Sequence, residues 1–139
     1  MQDAVRWTKQ SGIVPIGSFI IGLPGDTRNS VLKNIEFGKN LGLYSTTFPI
    51  ATPFPGTELR RMALNGEYGM RIISEDWGEY LANDFDIYGK GKIGHLESID
   101  LSWSERIELQ KLAYERIPKK KMSEYIKYLD QINRKDKNE

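Results

Sequence analysis

Apolar and polar positions divide the chain into short stretches with different periods. From Ile13 to Ile21 no residue is charged and apolar or β-branched residues dominate, the pattern of a strand buried on both faces in a parallel sheet. Ahead of it, Asp3 to Ser11 reads as a short helix that packs through Ala4, Val5 and Trp7 and stops at Gly12. Beyond the strand, Asp26 or Thr27 is placed to cap a helix whose apolar face is Val31, Leu32, Ile35 and Leu41, with Phe37 beside it. Gly42 supplies a left-handed stop. Tyr44 to Ala51 is the next predicted strand, and Pro49 within it points to an edge or an irregular strand end.

The rest is less regular. Thr57 is placed to cap a short helix through Glu58, Leu59, Met62, Ala63 and Leu64, stopping near Gly66. Ser74-Glu75-Asp76-Trp77 looks like another helix start, carrying Trp77, Tyr80 and Leu81. Asp84 to Tyr88 and Ile93 to Leu96, separated by Gly89-Lys90-Gly91-Lys92, read as a hairpin or a loop. Ser102 or Ser104 opens a helix with Ile107, Leu109, Leu112, Ala113, Tyr114 and Ile117 as its apolar positions. Pro118 breaks it. Met122, Tyr125, Ile126, Leu129 and Ile132 then mark a second amphipathic helix, and the tail from Asn133 is polar.

Composition narrows the function classes. The 139 residues suffice for one domain with a modest core, and 39% hydrophobic with 28% charged residues is a globular balance. Twenty basic residues stand against 19 acidic ones, so charge gives no support for a nucleic-acid partner. No apolar run exceeds three residues, as in Phe19-Ile20-Ile21, far short of the about 20 residues that span a bilayer, so no membrane partner is expected. Asp3 and Arg6 interrupt any signal-peptide pattern, and the chain is read as cytoplasmic. It has no cysteine and one histidine, hence no disulfide, thiolate metal site or cysteine nucleophile.

Candidate chemistry gathers at two Gly/Pro-marked strand ends, Gly22-Leu23-Pro24-Gly25-Asp26 and Thr52-Pro53-Phe54-Pro55-Gly56. In α/β folds ligands sit where the carboxyl ends of parallel strands meet such turns. A helix beginning right after a glycine-rich strand end presents free N–H groups that favour an anion or a polar ring edge. The same residues also suit a plain tight βα turn. Neither a Walker loop nor a Gly-x-Gly-x-x-Gly fingerprint is present.

Elsewhere bland readings prevail. His95 has no orienting partner nearby in sequence and reads as an exposed or packing histidine. The spacing of Asp84, Asp86, Glu97 and Asp100 fits no oxygen-ligand loop. Lys119-Lys120-Lys121 looks like a phosphate-contacting patch, but Glu115 and Glu124 nearby favour a solvated helix junction. Trp77, Tyr80, Tyr114, Tyr125 and Tyr128 at helical spacing read as core.

Taken together, Ile20-Ile21-Gly22-Leu23-Pro24-Gly25-Asp26-Thr27, Ile35-Glu36-Phe37-Gly38-Lys39 and Ile50-Ala51-Thr52-Pro53-Phe54-Pro55-Gly56-Thr57-Glu58-Leu59 resemble the carboxyl-terminal half of a radical S-adenosylmethionine enzyme. The group is the one related to cobalamin-binding radical proteins and the anaerobic magnesium-protoporphyrin ester cyclase. Trp77, Tyr80 and Leu109 to Tyr114 also fit the segment after the barrel in that group. The resemblance is strongest from Ala4 to Met62.

It implies an α/β fold: a carboxyl-terminal fragment of a partial (β/α) TIM-like barrel with two or three strands and a helical extension. Residues 1–66 would be the last barrel units, 67–101 a connecting segment and 102–139 the extension. The family's Gly-x-Ile-x-Gly strand falls on Ser18, Ile20 and Gly22, with Ser18 in place of the first glycine. Ile20 would pack against adenine and Gly22 would give it backbone room, with Pro24 in the adjoining turn. Ile50, Ala51 and Thr52 would offer main-chain hydrogen bonds to the adenine edge, and Pro53 would shape the substrate rim. A 4Fe-4S cluster in such enzymes needs three cysteines, so this chain would not bind it. The resemblance therefore implies S-adenosylmethionine, the cluster and in some members cobalamin as cofactors of a parent enzyme, with this chain inactive alone.

The expected partners are the amino-terminal half of the barrel, a substrate that the sequence does not identify, and a second copy. A homodimer would cover the sheet edge left open before Ile13. Two alternatives stand beside this reading: a nucleoside-binding module without catalysis, and an interaction module using the helices from Ser102 to Ile132.

Overall fold

The computed structural model describes residues 1–76, 95–118, 120, 123–124 and 126–128. Helix α1 (Gln2–Gln10) leads to strand β1 (Ile16–Ser18), helix α2 (Arg28–Asn40) and strand β2 (Ser45–Thr47). Helix α3 (Glu58–Leu64) and a 3-10 turn (Glu67–Gly69) follow, then strands β3 (Arg71–Ile72) and β4 (Leu96–Glu97) and helix α4 (Trp103–Arg116). The predicted helix start at Trp77, the hairpin from Asp84 and most of the second amphipathic helix lie outside the described residues.

The architecture is mixed α/β, with two two-stranded sheets among the described residues and no closed barrel. β1 and β2 pair in parallel, Ile16 with Ser45 through Ser18 with Thr47, and α2 is their crossover. The ladder outlasts the regular strands: Phe19 N donates to Thr47 O, Ile21 N to Pro49 O, and Ala51 N to Ile21 O at 2.8 Å. Pro49, without an N–H, serves as an acceptor where the strand loses regularity. β3 and β4 form the second, antiparallel sheet.

The sequence signals at helix ends operate as the residue types require. Thr27 and Ser30 form a reciprocal capping box on α2, and Ser102 and Glu105 do the same on α4. Thr57 Oγ1 accepts from Arg60 N to cap α3. Gly42 takes a positive φ of 65° after α2, the left-handed stop for which glycine is suited.

One face of the β1–β2 sheet carries the core. Ile21, Val31, Ile35, Phe48, Ile50, Leu101, Leu109 and Ala113 form one buried cluster, so α4 packs on the same core as the β1–α2–β2 unit. Phe19 stacks on Phe48 with ring centroids 5.7 Å apart. A Cβ on Gly38 would come within 3.0 Å of the Phe19 ring, which is why α2 approaches the sheet closely there. A second cluster, Ala63, Met70 and Leu96, holds α3 to the β3–β4 pair.

The expectation that Ile13 to Ile21 is buried on both faces is corrected. Side chains alternate along a strand, and Phe19 and Ile21 pack on the core shared with α2 and α4. On the other face Ile16 is 70% exposed and Ile20 43%, with Ile13 and Ser18 also open to solvent. That face has no helical layer among the described residues. Likewise α1 buries no side chain, and Trp7, expected to pack, stays exposed.

The two edges of the sheet differ. Thr47, Pro49 and Ala51 bond β1, so the main chain of Phe48 faces away from it. There α4 takes the place of a neighbouring strand. Gln110 Nε2 donates to Phe48 O at 2.8 Å, and Phe48 N donates to Tyr114 Oη at 3.1 Å. The apolar pattern of α4 did not reveal that Arg106 and Gln110 are buried, although both share the helical face of Leu109 and Ala113.

Two predictions follow from this packing. Gln110→Leu leaves the buried Phe48 carbonyl unpaired, and its unfolding free energy in urea falls by about 1–3 kcal/mol. Hydrogen bonds to Ser102 hold Glu105 below its ordinary value of 4.5, and hydrogen-bonding arginines do the same for Glu58 (Arg61) and Glu108 (Arg28). Carboxylates depressed on folding stabilise above their ordinary value and lose that contribution as pH falls through the folded one. The thermal midpoint should therefore drop below pH 4.5, with a smaller drop in Glu105→Gln.

Candidate functional site

Parallel pairing sends both strand ends the same way. The bridge between Ile21 and Ile50 brings the Gly22 turn and the Thr52 turn side by side at the carboxyl end of the sheet. Between them, on the open face, lies a cavity of about 360 Å³ lined by Ile20, Leu23, Pro49, Ile50, Ala51, Thr52, Phe54 and Leu59. Its volume falls within the range of small-molecule pockets, and its lining is mainly apolar. Thr52 Oγ1 donates to Ile50 O at 3.1 Å, which turns the threonine back onto its own strand end.

The residues singled out from sequence separate into groups. Ile20, Ile50, Ala51 and Thr52 share the cavity wall. Ser18 is exposed on the same face, two residues before Ile20. Pro24 sits half-buried in the turn, and Pro53 is buried behind the rim with its carbonyl accepting from Arg60 Nη1 at 3.4 Å. Arg60 is fixed in turn by Glu75 at 2.8 Å. Leu23, Phe54 and Leu59 were missed as lining residues. Pro49 was noted only as a strand irregularity, though the parallel register places it on the face of Ile20.

Gly22 has a different environment. Its φ is +85°, and an added Cβ would lie 2.1 Å from Arg106 Nη1. The guanidinium of Arg106, fully buried, donates to Gly22 O at 2.9 Å, Leu101 O at 3.2 Å and Ser98 Oγ at 3.2 Å. Burial pushes Arg106 down to about 10, against the opposing pull of Asp26 and Glu97. It therefore keeps its charge at neutral pH.

The turn also supplies its own anion. Gly22 N and Leu23 N both donate to Asp26 Oδ2 at 3.0 Å, and Ser30 Oγ donates to Asp26 Oδ1 at 2.7 Å. Asp26 thus occupies the place an anion would take at the turn amides, and Thr27 caps the Ser30 amide at the start of α2. This leaves the apolar cavity as the candidate site.

No family profile matches the chain. Over 82 residues it is 39% identical to a protein of Pyrococcus horikoshii described as an uncharacterized methyltransferase. The match takes in 59% of this chain and 17% of the relative's length.

Fit to the implied cofactors can be judged from the donor set. An apolar slot beside strand-end main chain suits a nucleoside ring. The chain has no cysteine, and the described residues hold no group of three or more His, Asp or Glu side chains placed for a metal ion. An iron–sulfur cluster therefore does not fit these residues. His95 is buried edge-on against Trp103 with ring centroids 5.9 Å apart, while its carbonyl accepts from Ile73 N.

The clamp generates a graded prediction. Arg106→Met leaves the Gly22 carbonyl unpaired and removes the bonds to Leu101 and Ser98, lowering unfolding free energy by about 3 kcal/mol, Arg106→Lys by less. Gly22→Ala, strained at positive φ and against the guanidinium, costs at least about 2 kcal/mol. Urea denaturation of the three variants checks the order.

Proposed function

We propose that this chain supplies one wall of a nucleoside pocket in a radical S-adenosylmethionine enzyme, as part of a larger protein. The observation that carries the reading is the Ile21–Ile50 bridge, which joins Ile20, Ile50, Ala51 and Thr52 around one apolar cavity. Similarity to a protein described as a methyltransferase, over 17% of its length, agrees with it. Methyl transfer is accordingly the parent reaction favoured here over cyclisation.

In this proposal the adenine ring slides between Ile20 and the Ile50–Thr52 strand end. Main-chain groups at Ala51 and Thr52 read its edge, while Pro53 and Phe54 bound the substrate side. The iron–sulfur cluster, and cobalamin where present, belong to the remainder of the parent, because this chain has no thiolate to offer. Redox chemistry would be supplied by that group when held by the rest of the parent, not by residues of this chain. The residues here bind and orient the nucleoside and exclude water from one side of it.

The open edge of β1 receives the remainder of the sheet. In the isolated chain that edge pairs with a second copy, which the uncharged stretch from Ile13 to Gly25 permits without repulsion.

Calorimetry with 5′-deoxyadenosine and S-adenosylmethionine tests the pocket. Saturable heat is expected, and it disappears in Ala51→Trp, which fills the cavity. No heat at millimolar ligand, or equal heat in the variant, removes the reading in favour of an interaction module. Light scattering tests the edge separately: a dimer is expected for the chain and a monomer for Ile16→Lys. A wild-type monomer refutes the pairing.

A further inference from the structure

A second cavity lies at the opposite end of the sheet, where β2 begins. It measures about 200 Å³ and is walled by Gly38 and Lys39 of α2, Leu43 to Thr46, and Arg116, Ile117, Pro118 and Lys120 at the end of α4. A water molecule's share of liquid is about 30 Å³, so the space admits a polyatomic ligand.

Three basic side chains meet at this cavity. Arg6, Arg28, Arg60, Arg61 and Arg71 each lie against a carboxylate, and Arg106 is buried. Lys39, Arg116 and Lys120 have no carboxylate within ion-pair distance among the described residues, yet all three line this one cavity. Glu36 and Glu115 are the neighbouring acids on the same two helices. Both are exposed, and Glu36 accepts from Asn40 at 3.2 Å.

Helix ends account for part of this basicity. α2 and α4 both terminate here, and each carboxyl end carries about half a negative charge. Lys39 and Arg116, in the last turns, answer those ends. Lys120 lies beyond Pro118 and belongs to neither helix, and its ammonium sits 4.7 Å above the Tyr44 ring. The balance over the cavity is roughly two positive charges. Thr46, whose side chain lies on the helix side of β2, adds a hydroxyl to the wall, and Ser45 contributes main chain.

We infer that this cavity binds a phosphate group, either free or on a small phosphomonoester, between Lys39, Arg116 and Lys120. Guanidinium donors match phosphate oxygens in paired geometry, ammonium groups add charge, and the Thr46 hydroxyl donates to a remaining oxygen. The site lies at the amino end of the strands and is separate from the nucleoside cavity, so it does not depend on that reading.

The test uses the full chain in chloride buffer, titrated with inorganic phosphate and with ribose 5-phosphate by calorimetry and amide chemical shifts. Saturable binding with shifts at Ser45 and Thr46 is expected, weakened tenfold or more in Arg116→Gln and in Lys120→Gln. Lys33→Gln, on the exposed side of α2, should bind as the wild type does. Lys120→Gln touches no helix end, so it reads the site even where Arg116→Gln loses stability. Tighter binding of ribose 5-phosphate identifies a phosphomonoester site, and tighter binding of inorganic phosphate a free-anion site. Absence of saturation, or equal affinity in Lys120→Gln and the wild type, overturns the inference.

Discussion

A single buried guanidinium ties the parts of this chain together. Arg106 arises from the first turns of α4 and reaches the carbonyl of Gly22, 84 residues earlier in sequence, while also gripping Leu101 and Ser98. Gly22 then passes its own amide to Asp26, which aligns the start of α2 through Ser30. Burying a charge among neutral acceptors is costly, and each donor must find a partner for the arrangement to stand. The positive φ of Gly22 is the local condition for that approach, since any side chain would occupy the space of the guanidinium.

The rest of the fold follows from where α4 is held. Pinned at Gly22, it lays Leu109 and Ala113 on the core and brings Gln110 and Tyr114 to the outer main chain of Phe48. Helix α4 thereby completes the core under the strand ends and leaves the opposite face open. The apolar cavity sits on that open face, walled by the residues whose positions the clamp and the Ile21–Ile50 bridge fix.

Much of the local structure was legible in the residues. Thr27, Thr57 and Ser102 cap helices because a hydroxyl before a helical run has orphan amides to satisfy. Gly42 stops α2 because a left-handed residue without a Cβ is the low-cost exit. Four of the eight proposed site residues line one cavity because parallel strands deliver their ends together. What could not be read was long-range pairing. Arg106 and Gln110 look like surface residues in a sequence, and only the strand backbones opposite them make their burial affordable. The burial of Ile13 to Ile21 was overestimated for a related reason: apolar content shows what a residue favours as surroundings, not whether this chain supplies them.

The contrast between the two borders of the parallel sheet has a consequence for how such a piece is used. A border whose amide and carbonyl are already engaged by glutamine and tyrosine accepts no further strand, so additions come only from the side of Ile16. The unit thus has a polarity of its own, one border closed by α4 and the other open to pairing among the described residues. Two-fold self-association through its single receptive border would close on itself at two copies rather than propagate into fibres.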